Sequence, residues 1–224
     1  MATMSTRGPW YWEQYVDEEG NWRRSDRRPR GEDLAALRRG LGKEPGVVPQ
    51  MWPFHVAVVP ESSTRAVADT WAPPVLYEAE HHALALYGYH QQSESAPVHR
   101  RDVGLGTAAR ALHSRGRFSE EAVDRRFFAA ATATTLGELV AHLRGLIGQL
   151  RALRSPVQPL DYSRLVRDLA AWSDPVRQQP VRRRWALQYQ DATRAAQRDA
   201  DNGSQSEETM SEPATPTGTG ATDD

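Results

Sequence analysis

Apolar residues recur at helical spacing along nearly the whole chain, and this pattern constrains the fold more than any other feature. It is clearest in residues 136–153, where Thr135 and Glu138 stand at capping-box spacing ahead of a run of leucines. The only stretch typical of a β-strand is residues 56–59, which lies between Pro53 and Pro60. The sequence therefore predicts an all-α protein.

Several other segments carry helix start signals or helical periodicity. They are a short helix that contains Leu34 and Leu37 and stops at Gly40 or Gly42, a helix over residues 74–91, one that begins after Ser119, one from the N-cap Asp161 to about Trp172, and a final helix with Pro180 in its first turn. We expect about eight or nine helices in all, arranged as one elongated bundle or as two small bundles.

The two ends of the chain differ from the middle. Residues 10–15 are rich in aromatic side chains and predict a short helix that docks on the body, and a basic loop follows from Arg23 to Arg30. Residues 199–224 consist mainly of Ser, Thr, Gly, Pro and acids, so we expect a disordered acidic tail. The predicted organisation is an aromatic and basic segment over 1–31, an all-α nucleic-acid-binding body over 32–198 and the tail over 199–224.

Composition excludes several classes of protein. The chain has no cysteine, which removes disulfides, thiol nucleophiles and Cys-ligated zinc. No apolar run approaches the roughly 20 residues that a membrane-spanning helix needs, and the first residues lack the apolar core of a secretory signal. We therefore expect a cytoplasmic protein with no membrane partner.

Two motifs suggest small-ligand chemistry, and neither has the right context. Glu78 and His82 stand four positions apart on the helix 74–91, near Glu80, His81 and His90, but no third metal ligand is identifiable and we interpret this side as a solvated helix face. Residues 104–109 spell G-x-G-x-x-A without a preceding buried strand, so we interpret the glycines as entering a helix at Thr107. With no catalytic motif either, the sequence predicts no enzyme, no metal and no cofactor.

The charge is concentrated in arginine. Residues 1–198 hold 28 basic against 22 acidic residues, a net charge of +6, and Lys43 is the only lysine. Residues 151–198 hold ten Arg against four Asp, which accounts for the whole excess. The planar guanidinium matches phosphate oxygens well, so this bias favours nucleic-acid binding. An ordinary solvated face is the alternative explanation.

Arginines also recur in pairs and in one triplet. The pairs are Arg38 with Arg39, Arg100 with Arg101 and Arg125 with Arg126, and the triplet is Arg182 to Arg184. On the final helix, Val181, Trp185, Tyr189, Ala192 and Ala196 form an apolar stripe, and Arg183, Arg184, Arg194 and Arg198 lie on the far side. Three bases near a helix start oppose the macrodipole, which suggests phosphate binding there. Trp172 and Trp185 lie on apolar stripes and are predicted to be core residues.

A succession of short motifs resembles a known family. In order they are Leu37-Arg38-Arg39-Gly40, Trp71-Ala72-Pro73-Pro74, Gly104-Leu105-Gly106, Ala111-Leu112, Gly116-Arg117-Phe118, Leu143-Arg144-Gly145-Leu146, Leu160-Asp161-Tyr162, Leu169 with Trp172, and Arg182-Arg183-Arg184-Trp185-Ala186. Their order and spacing over Glu32 to Tyr189 resemble the small subunit of the type I-E CRISPR complex Cascade, the CasB family.

The resemblance implies a non-catalytic all-α subunit that is present as a pair beside the guide RNA and helps to hold the opened DNA strands of the R-loop. The implied partners are the backbone and large subunits of Cascade, a second copy of the chain, guide RNA and target DNA. The residues expected to bind nucleic acid are Arg38, Arg39, Arg100, Arg101, Arg110, Arg117, Arg126, Arg144, Arg182, Arg183 and Arg184.

Two other classes fit the residues alone. A helix-turn-helix regulator would use the helices predicted over 161–172 and 180–196, and it would need base-reading side chains at the start of the second one. A helical protein-interaction adaptor would carry its arginines incidentally. Binding to random-sequence DNA separates the three classes: it is weak and salt-sensitive for a backbone clamp, sequence-selective for a regulator and absent for an adaptor.

Overall fold

The computed structural model describes residues 6–59, 73–115, 117–153 and 155–191, and within these ranges it is all-α, as predicted. The elements in chain order are a 3-10 helix Tyr11–Gln14, α1 (Gly31–Arg38), a 3-10 helix Pro49–Phe54, α2 (Val75–Gln91), α3 (Leu105–Ser114), α4 (Glu120–Thr132), α5 (Leu136–Ala152), α6 (Tyr162–Ala171) and α7 (residues 175–191). The described part contains no β-strand, and Ala57 in the β-like run makes only an isolated bridge to Thr6. The predicted disordered tail lies outside the described residues.

Helix α2 lies at the centre of the molecule. Its residues from Ala79 to Gly88 are all buried, because α1, α5 and α6 pack around it. Helix α4 packs against α5, and α3 contacts both of them. Buried side chains from every helix join one hydrophobic cluster, so the described residues share one core rather than the two small bundles of the alternative prediction.

Side-chain caps fix where three of the helices begin. Ser119, Thr135 and Asp161 each accept a hydrogen bond from the backbone N–H three positions further on, as the sequence predicts. The capping box at α5 differs in one detail. The Glu138 carboxylate accepts a 2.8 Å hydrogen bond from the backbone N–H of Thr134, one residue before the expected partner.

Helix α7 begins earlier than predicted. The Asp174 side chain accepts a 2.8 Å hydrogen bond from the Val176 N–H, and Pro175 occupies the first helical position. Placing Pro180 in the first turn was wrong, because Asp174-Pro175 supplies the start signal five residues upstream. Arg182 to Arg184 consequently lie in the interior of the helix, so the macrodipole argument for a phosphate site there does not hold.

Helix α3 also begins earlier than predicted, at Leu105 instead of Thr107. Its glycines serve helix packing. A Cβ atom on Gly106 would lie 2.2 Å from the Trp185 carbonyl oxygen, and one on Gly104 would lie equally close to the Gln188 side chain. Only glycine lets α3 approach α7 this closely, which explains the G-x-G spacing without any dinucleotide.

The polar residues of α2 do not form the solvated face that we predicted. Glu80, His81, His82 and His90 are buried. Glu80 accepts hydrogen bonds from the backbone N–H groups of Val56 and Ala57, at 2.8 and 2.9 Å, and so holds the segment before α2 against the helix. Burial raises the pKa of Glu80 to about 7, and these two donors oppose the rise. The prediction failed because neighbouring elements pack over these side chains and exclude water from them.

The aromatic N-terminal segment docks on the body, as predicted. Trp12 is fully buried, and its indole Nε1 donates a 2.9 Å hydrogen bond to the Ser163 hydroxyl at the start of α6. The hydroxyl in turn donates to the Glu13 carboxylate at 2.6 Å. Tyr11 and Trp12 therefore belong to the same core as the helices, and Tyr15 packs against it.

Candidate nucleic-acid interface

The exposed face of α5 carries small residues with arginines among them. Arg144 and Arg151 stand seven positions apart, so they lie on one side of the helix about 10 Å apart along its axis. The small residues on this side are Ala141, Gly145, Gly148 and Ala152. Because these side chains are short, groups from neighbouring elements reach the α5 backbone and form a groove along it.

Three neighbouring elements complete this groove. Helix α4 contributes Arg126, whose guanidinium lies 3.5 Å from the Gly145 carbonyl oxygen. Helix α2 contributes Tyr89, and the segment before α4 contributes Arg117 and Phe118. A Cβ atom on Gly148 would lie 3.1 Å from the Tyr89 hydroxyl, so glycine is what lets this ring approach α5. We define the arginine groove by Tyr89, Arg117, Phe118, Arg126, Arg144 and Arg151.

The groove is strongly positive. Four arginines line it, and Glu94 is the one carboxylate among its described lining residues. Arg117 and Arg144 are exposed and make no hydrogen bond or ion pair within the described ranges. The Arg151 guanidinium stands 4.5 Å from the centroid of the Tyr89 ring, which holds it in place without neutralising it. Such a surface attracts phosphates.

The structure thus brings together Arg117, Arg126 and Arg144 from three separate stretches of the predicted set. Arg151 was missed by the sequence reasoning. Its signal was present, because it stands one heptad after Arg144 on the most strongly periodic helix of the chain.

Three of the predicted phosphate-binding arginines contact other groups within the fold. Arg110 contacts His113 at 2.8 Å and lies over the Tyr189 ring. Arg182 donates to the Ala133 carbonyl oxygen at 2.6 Å. Arg184 forms an ion pair with the buried carboxylate of Asp168. All three are only partly exposed. These guanidiniums contact neighbouring helices and the segment between α4 and α5, and their role in nucleic-acid binding stays a prediction.

The core beneath α7 explains why Arg182 and Arg184 face inward. Trp172 and Trp185 are buried, as predicted, and their rings stack with centroids 5.3 Å apart. The Arg182 guanidinium covers Trp172, and the Trp185 indole donates a 2.8 Å hydrogen bond to Asp168. Burial raises the pKa of Asp168 to about 6, while Arg184 and the indole oppose the rise.

The other predicted arginines lie away from the groove. Arg101 forms ion pairs with Glu18 at 2.9 Å and Glu13 at 3.6 Å, and the stem of Arg100 packs against Gly20. Arg38, Arg39 and Arg183 have no ion pair among the described residues; the first two lie at the end of α1 and the third on the exposed side of α7. Arg194 and Arg198 lie outside the described residues.

Within the described residues, no three side chains of His, Asp or Glu come together in a way that would hold a metal ion. None of the described helices is long and apolar enough to cross a bilayer.

The chain is similar to known proteins in sequence and in fold. The family of CRISPR-associated protein Cse2 matches residues 33–189. The crystal structure of CasB from Thermobifida fusca is 31% identical, with a TM-score of 0.53, over 71% of this chain and 84% of that one. No curated protein matches the chain in sequence.

Two further structures agree. A CRISPR-associated protein of the Cse2 family from Thermus thermophilus is 25% identical with a TM-score of 0.50, over 71% of this chain and 86% of that one. A chain of a CRISPR RNA-guided surveillance complex is 26% identical with a TM-score of 0.53, over 75% of this chain and 86% of that one. The family match spans α1 to the last turns of α7 and includes every arginine of the groove. The chain belongs to the CRISPR-associated Cse2 family.

Proposed function

We propose that this protein is a non-catalytic subunit of a Cascade-type CRISPR surveillance complex and that it binds nucleic acid without sequence preference through the arginine groove. The observation that carries the proposal is the convergence of Arg117, Arg126, Arg144 and Arg151 from three elements onto one surface. Family membership and the likeness to a chain of an RNA-guided surveillance complex support the assignment to such a complex.

The chemistry of the groove suits a clamp on the sugar-phosphate backbone. Guanidinium groups bind phosphate oxygens, and contacts to phosphate position a strand without reading its sequence. Asn and Gln, which read adenine, are represented among its lining residues only by Gln92 at one end and by Gln149, whose side chain is buried. We therefore expect the groove to bind mainly through phosphates, with little dependence of affinity on sequence.

A clamp of this kind has a clear use in an RNA-guided complex. Opening the target duplex exchanges DNA pairs for RNA–DNA pairs of similar stability, so the net free-energy change is close to zero. A few phosphate contacts to an opened strand then shift the equilibrium toward the open state. We propose that binding by this subunit stabilises the R-loop. The partners of the subunit are then guide RNA, target DNA, the backbone and large subunits, and a second copy of the chain.

The structure supports a regulator or an adaptor less well than it supports a backbone clamp. A regulator would present the start of α7 to the major groove, but Asp174 stands at that start and pairs with Arg177 at 3.5 Å. An acid at this position repels phosphate and weakens DNA docking. For an adaptor, four arginines converging on one groove would have no role.

Affinity purification of the tagged chain from its native host tests the assignment. We expect guide RNA of uniform length and several other proteins to co-purify in constant ratio. Recovery of the chain alone, or with RNA of random length only, would contradict membership of a guided complex.

A further inference from the structure

A second concavity opens beside the arginine groove. It is a cleft of about 480 Å³ between α2, α5 and the loop that follows α1, and it shares Ala141 and Arg144 with the groove. Leu41, Pro45 and Val140 line its apolar part. Its volume lies in the range of small-molecule sites, and it is larger than one planar heterocycle requires.

The cleft and the groove differ in charge. Lys43 and Arg144 line the cleft, but the carboxyls of Glu44 and Glu78 line it too. Two cations and two acids make it far less positive than the groove, where four arginines face one acid. A phosphate is therefore better bound in the groove, and the apolar lining of the cleft favours an uncharged ring.

Two titratable side chains that line the cleft, His82 and Glu78, are shielded from water by the surrounding protein. His82 is only 9% exposed, and its Nδ1 has no hydrogen-bond partner within the described residues. Desolvation lowers the pKa of His82 to about 4 and raises the pKa of Glu78. His82 is therefore neutral at pH 7, and the exposed part of its imidazole adds to the uncharged lining of the cleft.

We propose that the cleft accepts one unstacked nucleobase of a strand whose phosphates lie in the arginine groove. The protein then binds a single strand that carries bases more tightly than it binds a duplex. This proposal rests on the proposed function, because it needs the strand to occupy the groove. Arg144 belongs to both concavities and marks the point where the base leaves the path of the backbone. A base held in a duplex is stacked and paired, and it does not reach the cleft without being extruded.

Gly137 gives a way to fill the cleft without disturbing the fold. It lines the cleft in the first turn of α5, and a Cβ atom added there meets nothing within 4 Å. Gly137→Leu introduces an aliphatic side chain that occupies the space and offers no ring for stacking. Gly137→Ala is the matched control, because it makes the same backbone change and fills little of the space.

The experiment titrates the full chain against two labelled strands of equal length and equal numbers of phosphates, oligo-dT and an abasic strand, over a series of salt concentrations. We expect wild type and Gly137→Ala to bind oligo-dT about tenfold tighter than the abasic strand, within the range for packing of a base on a protein ring. Gly137→Leu is expected to reduce this ratio to about twofold or less, with an unchanged salt slope.

The outcomes separate the two proposals. Equal affinity of wild type for the two strands overturns the base cleft and leaves the groove in place. A base preference that Gly137→Leu keeps in full, with circular dichroism equal to that of wild type, overturns it as well, since the base is then bound elsewhere. Absence of salt-dependent binding to either strand overturns the groove and the cleft together.

Discussion

Trp12 and Ser163 stand 151 positions apart in the sequence, yet the Trp12 indole donates a 2.9 Å hydrogen bond to the Ser163 hydroxyl. The Trp12 ring also packs beside the Tyr87 and Tyr162 rings, with centroid distances of 5.5 Å to each. This contact ties a segment that precedes the family-matched region to the centre of the fold.

The first prediction concerns that segment. Trp12→Ala is expected to lower the free energy of unfolding by about 3–5 kcal/mol, because it empties a fully buried site and leaves the Ser163 hydroxyl without its donor. Urea denaturation measures the change. Trp52→Ala is the matched control, since the Trp52 side chain is 57% exposed, and it should cost less than about 1 kcal/mol. Equal losses for the two variants would show that the N-terminal segment is not part of the core.

The second prediction concerns the ion pair beneath α7. Arg184→Ala leaves the Asp168 carboxylate buried without its cation, and we expect a loss of about 2–4 kcal/mol of stability. Arg183→Ala, one position away on the exposed side, should change stability by less than about 0.5 kcal/mol. Thermal and urea denaturation of both variants give the comparison. If Arg184→Ala is as stable as wild type, the Arg184 guanidinium does not stabilise the fold through Asp168 and is available to bind other groups.

The third prediction concerns acid stability. Burial lowers the pKa of five histidines below their ordinary value of 6.5: to about 4 for His55, His82 and His99, to about 3 for His90, and in the same direction for His81. A base whose pKa is lower in the folded state stabilises the fold fully above pH 6.5, and this contribution is lost as the pH falls toward 4. Glu78, Glu80 and Asp168, whose pKa values are raised, act in the opposite direction but are fewer. We therefore expect stability to fall steeply as the pH drops from about 6.5 to about 5.

His90 provides the specific test of this behaviour. Its Nδ1 lies within hydrogen-bonding distance of the Tyr162 hydroxyl in the core, at 2.9 Å. His90→Gln should flatten the dependence of unfolding free energy on pH by up to about 1.4 kcal/mol per pH unit. His142→Gln, at a partly exposed position of α5, is the control. An unchanged slope for His90→Gln would show that folding does not lower the pKa of this ring.

The fourth prediction concerns the contact between α3 and α7. Gly106→Ala forces a Cβ atom to within 2.2 Å of the Trp185 carbonyl oxygen, so the helices must separate. We expect a loss of about 1–3 kcal/mol in denaturation measurements, the range for overpacking. Gly137→Ala, which meets open space, should be neutral or slightly stabilising. If Gly106→Ala is as stable as wild type, the glycine does not serve this contact.

Local sequence signals predicted where helices begin, but they did not predict which polar side chains are buried or paired. Ser119, Thr135 and Asp161 cap helices because their side chains bond to nearby backbone, which is a property of a few adjacent residues. The burial of Glu80 and the inward course of Arg184 depend on partners 23 and 16 positions away. Such pairings are set by tertiary packing, and charge alone does not show which arginines are already paired. The groove likewise could not be predicted, because it forms where three elements that are distant in the sequence come together in the fold.

The salt dependence of binding tests the central claim most directly. Arg117→Ala combined with Arg144→Ala removes two groove arginines, and Arg125→Ala combined with Arg167→Ala removes two exposed arginines outside it, with the same change in net charge. On oligo-dT, the slope of log K against log salt should become shallower by about 1.4 for the groove variant, at about 0.7 for each lost contact, and by much less for the control. Both variants should keep the circular dichroism of wild type. Equal slopes for the two folded variants would contradict the arginine groove as the site of nucleic-acid binding.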